Sequence, residues 1–264
     1  MKETASLSKM MEHAMAVARR AGAYQLQHWR KHDFAVEEKG RAADIVTQVD
    51  KACEAMIIAE ALSLGEVGVL SEESGHCHAE APWQWVVDPL DGTTNYNAGL
   101  PLFNVSIGIR HQGKTVGGVV YAPALGELFT AVRGGGALFG QGRAIQPSPA
   151  SDLAHAVLAT GFPYDKDVNP DNNVAELSRV LPRVRGIRRL GSAALDICYV
   201  AAGFLDGYWE MNLHEWDVCA AALIATEAGA VVSRYRPDRG IALMAATPAI
   251  APTLLALLRH GESE

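Results

Sequence analysis

Asp88-Pro89-Leu90-Asp91-Gly92-Thr93-Thr94 follows directly on the apolar run Trp85-Val86-Val87. A short β-branched and aromatic run closed by Pro and Gly reads as a buried strand, and carboxylates where it ends stand at the edge of a cleft. Asp88 and Asp91 are three residues apart across a tight turn, so both can face one point, where their repulsion raises a pKa unless a cation lies between them. Hard oxygen donors of this kind suit Mg²⁺. Gly92-Thr93-Thr94 can open a helix with Asp91 near its N-cap, turning unpaired N–H groups and the positive end of the dipole toward the same place. That makes a phosphate seat beside a metal seat. The D-x-x-D-G segment alone fits an Asp-capped helix after a turn equally well, so the rest of the chain has to decide.

Three other segments carry acids at the ends of apolar runs. Val67-Gly68-Val69-Leu70-Ser71 leads into Glu72-Glu73-Ser74-Gly75. Asp44-Ile45-Val46-Thr47-Gln48-Val49-Asp50 ends a strand-like run with Asp50 before an Ala-rich helix. Glu210 and Asp217 bracket Met211-Asn212-Leu213-His214-Glu215-Trp216, and Asp217 is placed to cap the Ala-rich stretch from Val218 to Gly229. Each could be a structural cap by itself; four together point to a shared cation site.

Taken together, these residues resemble the inositol monophosphatase family, the lithium-sensitive, Mg²⁺-dependent phosphomonoesterases, and their sugar-phosphatase relatives. One family signature is similar to Trp85 through Thr94 and the other to Trp216-Asp217-Val218-Cys219-Ala220-Ala221-Ala222 running on to Gly229. Leu70-Ser71-Glu72-Glu73-Ser74, Ala43 through Asp50, and Gly191-Ser192-Ala193-Ala194-Leu195-Asp196 match in type and order, so the resemblance covers roughly residues 10 to 250. It implies that Glu72, Asp88 and the Leu90 carbonyl hold a first Mg²⁺, that Asp88, Asp91 and Asp217 hold a second, and that a third, looser ion lies near Glu72, with Lys39 bordering the region. It also implies Thr93, Asp50 and Glu72 as catalytic residues, Thr93 and Asp50 orienting and deprotonating a water nucleophile. Asp91, Gly92, Thr93, Thr94, Ala193, Glu210 and Asp217 become the substrate contacts, the last residues of this set facing the hydroxyls of a polyol. Two divalent ions about 3.5 to 4 Å apart can activate water and stabilise the leaving oxygen of an in-line displacement, so no phospho-enzyme is required.

The expected reaction is therefore hydrolysis of a phosphate monoester, with myo-inositol monophosphate first in line because Thr94-Asn95-Tyr96 lacks the charged residue of the nucleotide-directed relatives. Asn97 and Ala98 depart from the basic residue the family often carries there, which leaves fructose 1,6-bisphosphate, histidinol phosphate and 3′-phosphoadenosine compounds as alternatives. A regulatory binding protein built on the same scaffold is the alternative from another class.

The 264 residues carry a formal net charge of −7, a pI near 5.7 and 49% hydrophobic residues. This balance argues against a nucleic-acid partner and fits a cleft that recruits cations. The partner expected is a small phosphate monoester. Four separated Cys read as free thiols, and no signal peptide or apolar run of about 18 residues marks export or a membrane span, so the cytoplasm is expected. The resemblance adds a homodimer.

Hydrophobic periodicity predicts helices over 4–31 and 50–64, then strands at 67–71, 84–88, 103–110, 115–121 and 127–132, with turns at 111–113 and 123–126. The Pro-bearing stretch 141–151 divides an α+β lobe, residues 1–146, from an α/β lobe, residues 147–264. In the second, strands near 156–160 and 187–189 alternate with helices near 170–182, 193–203, 217–228 and 249–259. The expected fold is mixed α/β; the resemblance makes it the layered αβαβα sandwich of the sugar phosphatases, with the site between two lobes. The glycine run 134–140 lacks a Gly-Lys-Ser/Thr ending and reads as a flexible hairpin connection. His76-Cys77-His78 reads as an exposed loop, Arg179 to Arg189 as a solvated helix end, and His214 as no Mg²⁺ ligand.

Overall fold

A computed structural model describes residues 2–31 and 33–259, with side chains from residue 7 onward. Its first layer is α1 (Lys2–His28) and α2 (Gln48–Leu62), with the small hairpin β1 (Val36–Arg41) and β2 (Asp44–Thr47) between them. Ala14, Val17, Ala18 and Ala21 recur at helical spacing and are fully buried, so α1 lays one apolar stripe on the layer below. Each such aliphatic side chain of Val size or larger contributes about 1.5–3 kcal/mol.

The second layer is an eight-stranded sheet of β3 (Val67–Ser71), β4 (Gly75–Cys77), β5 (Trp83–Asp91), β6 (Asn104–His111), β7 (Lys114–Ala122), β8 (Glu127–Val132), β9 (Ala137–Phe139) and β10 (Arg143–Ala144). Its spatial order is β10-β9-β8-β7-β6-β5-β3-β4, parallel between β3 and β5 and antiparallel elsewhere. The short α3 (Thr93–Asn97) leaves the end of β5.

A second sheet holds β11 (Val157–Thr160), β12 (Gly186–Arg188), β13 (Gly207–Leu213), β14 (Val231–Arg236) and β15 (Ile241–Ala246) in the order β12-β11-β13-β15-β14. Helices α5 (Ala193–Ala201) and α6 (Glu215–Ala228) lie between the sheets, in a core shared by Val120 and Phe129 of one and Tyr208 and Leu243 of the other. Helices α4 (Val174–Val180) and α7 (Ala251–Arg259) cover the far face, where Leu254 and Leu258 meet Trp209 and Met244. The order of layers is thus α, β, α, β, α.

Two glycines set how closely α6 approaches the first sheet. Gly108 and Gly118 are register partners on β6 and β7. A Cβ at Gly118 would stand 2.7 Å from the Ala220 carbonyl oxygen, and one at Gly108 would stand 2.9 Å from Cys219 Cβ. Helix α6 can therefore rest on the strand backbones, which brings its first turn, with Asp217, to the end of β5.

The strands and helices of the first two layers fall within three residues of expectation, β5 running on to Asp91 and α2 beginning at Gln48. The 36–41 strand, β9 and β10 carry no periodic run and were not expected. His76 and Cys77 do not belong to a loop, because Gly75–Cys77 pairs with β3 as an edge strand, whereas His78 lies exposed in the bend that follows, as expected. The glycine run is held rather than flexible: the Gly134 and Gly136 N–H groups donate to the Glu227 carboxylate at 2.9 and 3.1 Å. In the second sheet β13, β14 and β15 went unforeseen. Ile-Ala-Leu-Met-Ala-Ala of β15 is buried on both faces, and a strand of that kind loses the alternation that marks it. The expected helix over 170–182 shrinks to Val174–Val180 and a 3-10 turn. Cys53, Cys198 and Cys219 are buried free thiols and Cys77 is a half-buried one. Among the described residues no helix is long and apolar enough to cross a membrane.

Candidate active site

Asp88 and Asp91 belong to β5, where the register against β6 slips between them. A bulge of this kind bends the strand and re-aims its side chains. With Glu72, just past β3, and Asp217, at the third position of α6, they line one cavity of about 240 Å³ between the sheets. Each of the four spends one oxygen on the protein. Asp88 Oδ1 accepts the Leu90 N–H at 3.0 Å. Asp91 Oδ2 accepts from Ser192 Oγ at 2.7 Å, the Ala194 N–H at 2.9 Å and Asn104 Nδ2 at 3.0 Å. Asp217 Oδ2 takes the His214 N–H at 2.6 Å, and Glu72 Oε1 takes the Lys39 ammonium at 2.8 Å. Among the described residues the second oxygen of each has no protein donor.

This arrangement is electrostatically unfavourable without a counter-ion. Burial, and then repulsion from Glu72, Asp91 and Asp217, holds the Asp88 carboxyl well above the usual range. Burial raises Asp91 to about 6 in spite of Ser192 and Asn104, and Glu72 to about 7 in spite of Lys39. Lys39 is itself pulled down by burial, but Glu72 and Glu73 outweigh that and hold its ammonium above its ordinary value. No three His, Cys, Asp or Glu side chains among the described residues close on one point as a finished metal centre would. The four carboxylates share a cavity and keep spare oxygens, a donor set that fits a hard divalent cation.

Asp50 and Thr93 meet beside this cluster. Thr47 caps α2, and Asp50 at its third position reaches back to the Thr47 N–H at 3.0 Å and to its hydroxyl. Asp50 thus lies inside the first helical turn and not at the end of a strand. Its other oxygen is 3.0 Å from Thr93 Oγ1, which lies 3.0 Å from the Leu90 carbonyl as well. Burial lifts the Asp50 carboxyl to about 6 against the pull of Thr47 and Thr93. Gly92, and not Asp91, is the N-cap of α3; its φ of +92° and the Leu102 carbonyl 2.7 Å from where a Cβ would sit admit no other residue. Thr94 is exposed and outside the cavity. Likewise His214, not Asp217, caps α6, with Asp217 reaching back from the third position.

Ala193, Glu210, Arg189 and Tyr164 line the same cavity, as does His214, whose Nδ1 is 3.6 Å from Asp217 Oδ2. Glu210 and Tyr208 lie two apart on β13, on one face of the strand, and the Tyr208 hydroxyl donates to Glu210 Oε2 at 2.6 Å. Burial raises Glu210 to about 7, Tyr208 and Arg189 opposing and Asp217 and Asp91 adding to the rise.

The sequence pattern of the inositol monophosphatase family matches residues 6–261. This chain belongs to the inositol monophosphatase family. It is 40% identical over 256 residues to the Nus factor SuhB of Pasteurella multocida, covering 94% of this chain and 95% of that protein. It is 42% identical over 236 residues to the inositol-1-monophosphatase of Mesorhizobium japonicum, covering 88% and 86%. The crystal structure of the extragenic suppressor protein suhB from Bartonella henselae matches with a TM-score of 0.88 at 38% identity, over 96% of this chain and 99% of that one.

In this member of the inositol monophosphatase family several residues that shape the site were not expected from the sequence. Asn104 and Ser192 hydrogen-bond each other at 2.7 Å and both hold Asp91. Ser192 sits in a segment that matches the family, and its position before an Ala-rich helix marks it as an N-cap; Asn104 carries no local sign. Tyr164 follows Phe162-Pro163 in a loop with no periodicity. Arg189 faces the cavity, so the basic run is not wholly a solvated helix end, although Arg179 does cap the Leu257 carbonyl at 2.7 Å. Asp196, buried in α5 with Oδ1 unpartnered, is held well above its ordinary value by burial and by Glu210 and Asp91.

Proposed function

We propose that this chain is an Mg²⁺-dependent phosphomonoesterase acting on a polyol phosphate, with myo-inositol monophosphate the first candidate. The observation that carries the reading is the set of four buried or half-buried carboxylates, each with a spare oxygen, in one cavity that also offers Glu210, held by Tyr208, and Arg189 to hydroxyls. Glu72, Asp88, the Leu90 carbonyl, Asp91 and Asp217 are the residues that would hold the cations. Bound there, Mg²⁺ offsets the carboxylate repulsion, screens the phosphoryl charge and lowers the pKa of a water.

The chain's own residues supply the rest. Asp50 accepts the Thr93 hydroxyl proton, which leaves the oxygen of Thr93 free to receive a proton from the attacking water. The amides at Gly92 and Thr93, at the start of α3, are the phosphate contacts. Glu210, fixed by Tyr208, accepts from a polyol hydroxyl; an apolar alcohol would leave that buried carboxylate unpaired. Family membership and the name of the Mesorhizobium japonicum relative support this reaction.

The test is phosphate release from inositol 1-phosphate and a panel of sugar and nucleotide phosphates, with and without Mg²⁺. Absence of turnover on every polyol phosphate at millimolar Mg²⁺ would refute the proposal. The relatives named Nus factor SuhB favour a second reading, in which the chain also acts as a regulatory protein through its surface. An Asp88→Asn chain that keeps such a role while losing hydrolysis would separate the two.

A further inference from the structure

Arg239 lies outside the cavity, in the turn between β14 and β15, yet it touches both segments that wall the cavity's polyol side. Its Nη2 donates to Asp165 Oδ1 at 2.6 Å and its Nε to the Asp171 carbonyl at 3.1 Å. Its Nη1 reaches Asn212 Oδ1 at 3.5 Å, and its own carbonyl accepts the Asn212 N–H at 2.9 Å. Asp165 follows Phe162-Pro163-Tyr164, which line the cavity, and Asn212 lies between Glu210 and His214, which line it too.

The first segment lacks regular pairing, and the second lies where the pairing of β13 with β15 is interrupted. Residues 161–173 form turns without helix or strand, and such segments belong to the low-stability end of a fold. Strand β13 slips register between Glu210 and Leu213, and Asn212 sits in the left-handed region at φ +63°. Gly240, next to Arg239, allows the turn to close on this kink, since a Cβ there would be 2.8 Å from Asn212 Cα. The loop is also tied by Arg236 to Asp171, bidentate at 2.8 Å, and by an exposed Arg41–Asp167 pair at 3.1 Å, neither of which reaches β13; at its far end Asn173 accepts from Trp209 Nε1 of β13 at 2.7 Å, before the Glu210–Asn212 kink. An exposed pair of that kind contributes little. The Arg239 side chain is 13% exposed, and its planar fork serves three acceptors at once.

We propose that Arg239 is a positioning residue that locks residues 162–164 and the Glu210–Asn212 kink to each other, and so sets the grip of the cavity on the polyol part of its substrate. The effect on turnover rests on the phosphomonoesterase reading; the lock itself does not. The test compares Arg239→Ala and Arg239→Lys with the wild-type chain by amide hydrogen exchange and by hydrolysis of inositol 1-phosphate at saturating Mg²⁺. In Arg239→Ala, exchange should quicken at residues 164–172 and 211–213 and stay unchanged in strands β5 and β6. KM should rise about tenfold with kcat within about threefold, the scale of one lost charge-assisted hydrogen bond. Lys, a point charge, should restore less than half of the KM effect. Unchanged exchange, an unchanged KM, a fall in kcat at constant KM, or full rescue by Lys would each overturn the proposal. A wild-type chain without turnover would sink the phosphatase reading instead, and the exchange comparison alone would then decide the lock.

Discussion

Replacing Asp91 by Asn should stabilise the metal-free protein while abolishing its function. Asp91 Oδ2 is saturated by Ser192, Ala194 and Asn104, and an Asn oxygen can accept from the same three donors. Its amide then takes the place of the spare oxygen, where it meets the remaining carboxylates as a donor instead of a charge. Burial raises the Asp91 carboxyl from 3.8 to about 6. A tenfold change in proton affinity is worth about 1.4 kcal/mol, so holding this group ionised opposes folding by up to about 3 kcal/mol. The sign follows from proton binding: between pH 3.8 and about 6 the folded state holds the proton more tightly, so stability falls as pH rises through that window. Above it the full penalty is present, and below it none is. Urea unfolding in EDTA should therefore show Asp91→Asn and wild type alike near pH 4 and the variant more stable by up to about 3 kcal/mol at pH 8. With saturating Mg²⁺ the order should reverse, since only the intact site gains the linkage stabilisation of a bound ion. A variant less stable than wild type at pH 8 in EDTA would show that Asp91 serves the fold and is not held against its own charge.

Further outcomes follow from the same geometry. Thr93→Ala should lower kcat by roughly 10²–10⁴ and leave Mg²⁺ affinity, read by calorimetry, nearly unchanged; an unaltered rate would remove the Asp50–Thr93 pair from the mechanism. Asp88→Asn should reduce turnover by about three powers of ten and weaken Mg²⁺ uptake as well. Because Asp50 must be ionised to accept the Thr93 proton, kcat should decline as pH drops below about 6, and a rate independent of pH down to pH 5 would contradict this. Gly118→Val pushes α6 off β7 and should destabilise the fold by about 1–3 kcal/mol, with Mg²⁺ affinity falling as Asp217 shifts; chemical denaturation and calorimetry check the two parts.

The residues between Trp85 and Thr94 were legible because strand, turn and helix start fall within ten positions, each with its own local chemistry. Glu72 and Asp217 could be placed for the same reason, as acids at the edge of an element. What the sequence could not show was which atom caps which helix: Asp50 and Asp217 both sit at the third helical position and reach back, a geometry that reads from sequence like an N-cap. In the middle of the second sheet β15 was hidden because it is buried on both faces and does not alternate, whereas β13 alternates from Trp209 to Leu213 and carried a strand signal that was overlooked. Asn104 and Arg239 act between separate elements, at sequence distances where no local pattern links them to the groups they hold.

The seating of α6 on Gly108 and Gly118 has a consequence for assembly. Glu72 and Asp217 come together where α6 rests on the first sheet, and that contact brings like charges into one space. The seating of α6 is thus a contact that electrostatics resists, and cation concentration should bear on its stability more than on that of contacts far from the cavity. A nascent chain short of its second half would carry Asp88 and Asp91 with nothing to complete them, silent toward substrate until the final strands arrive.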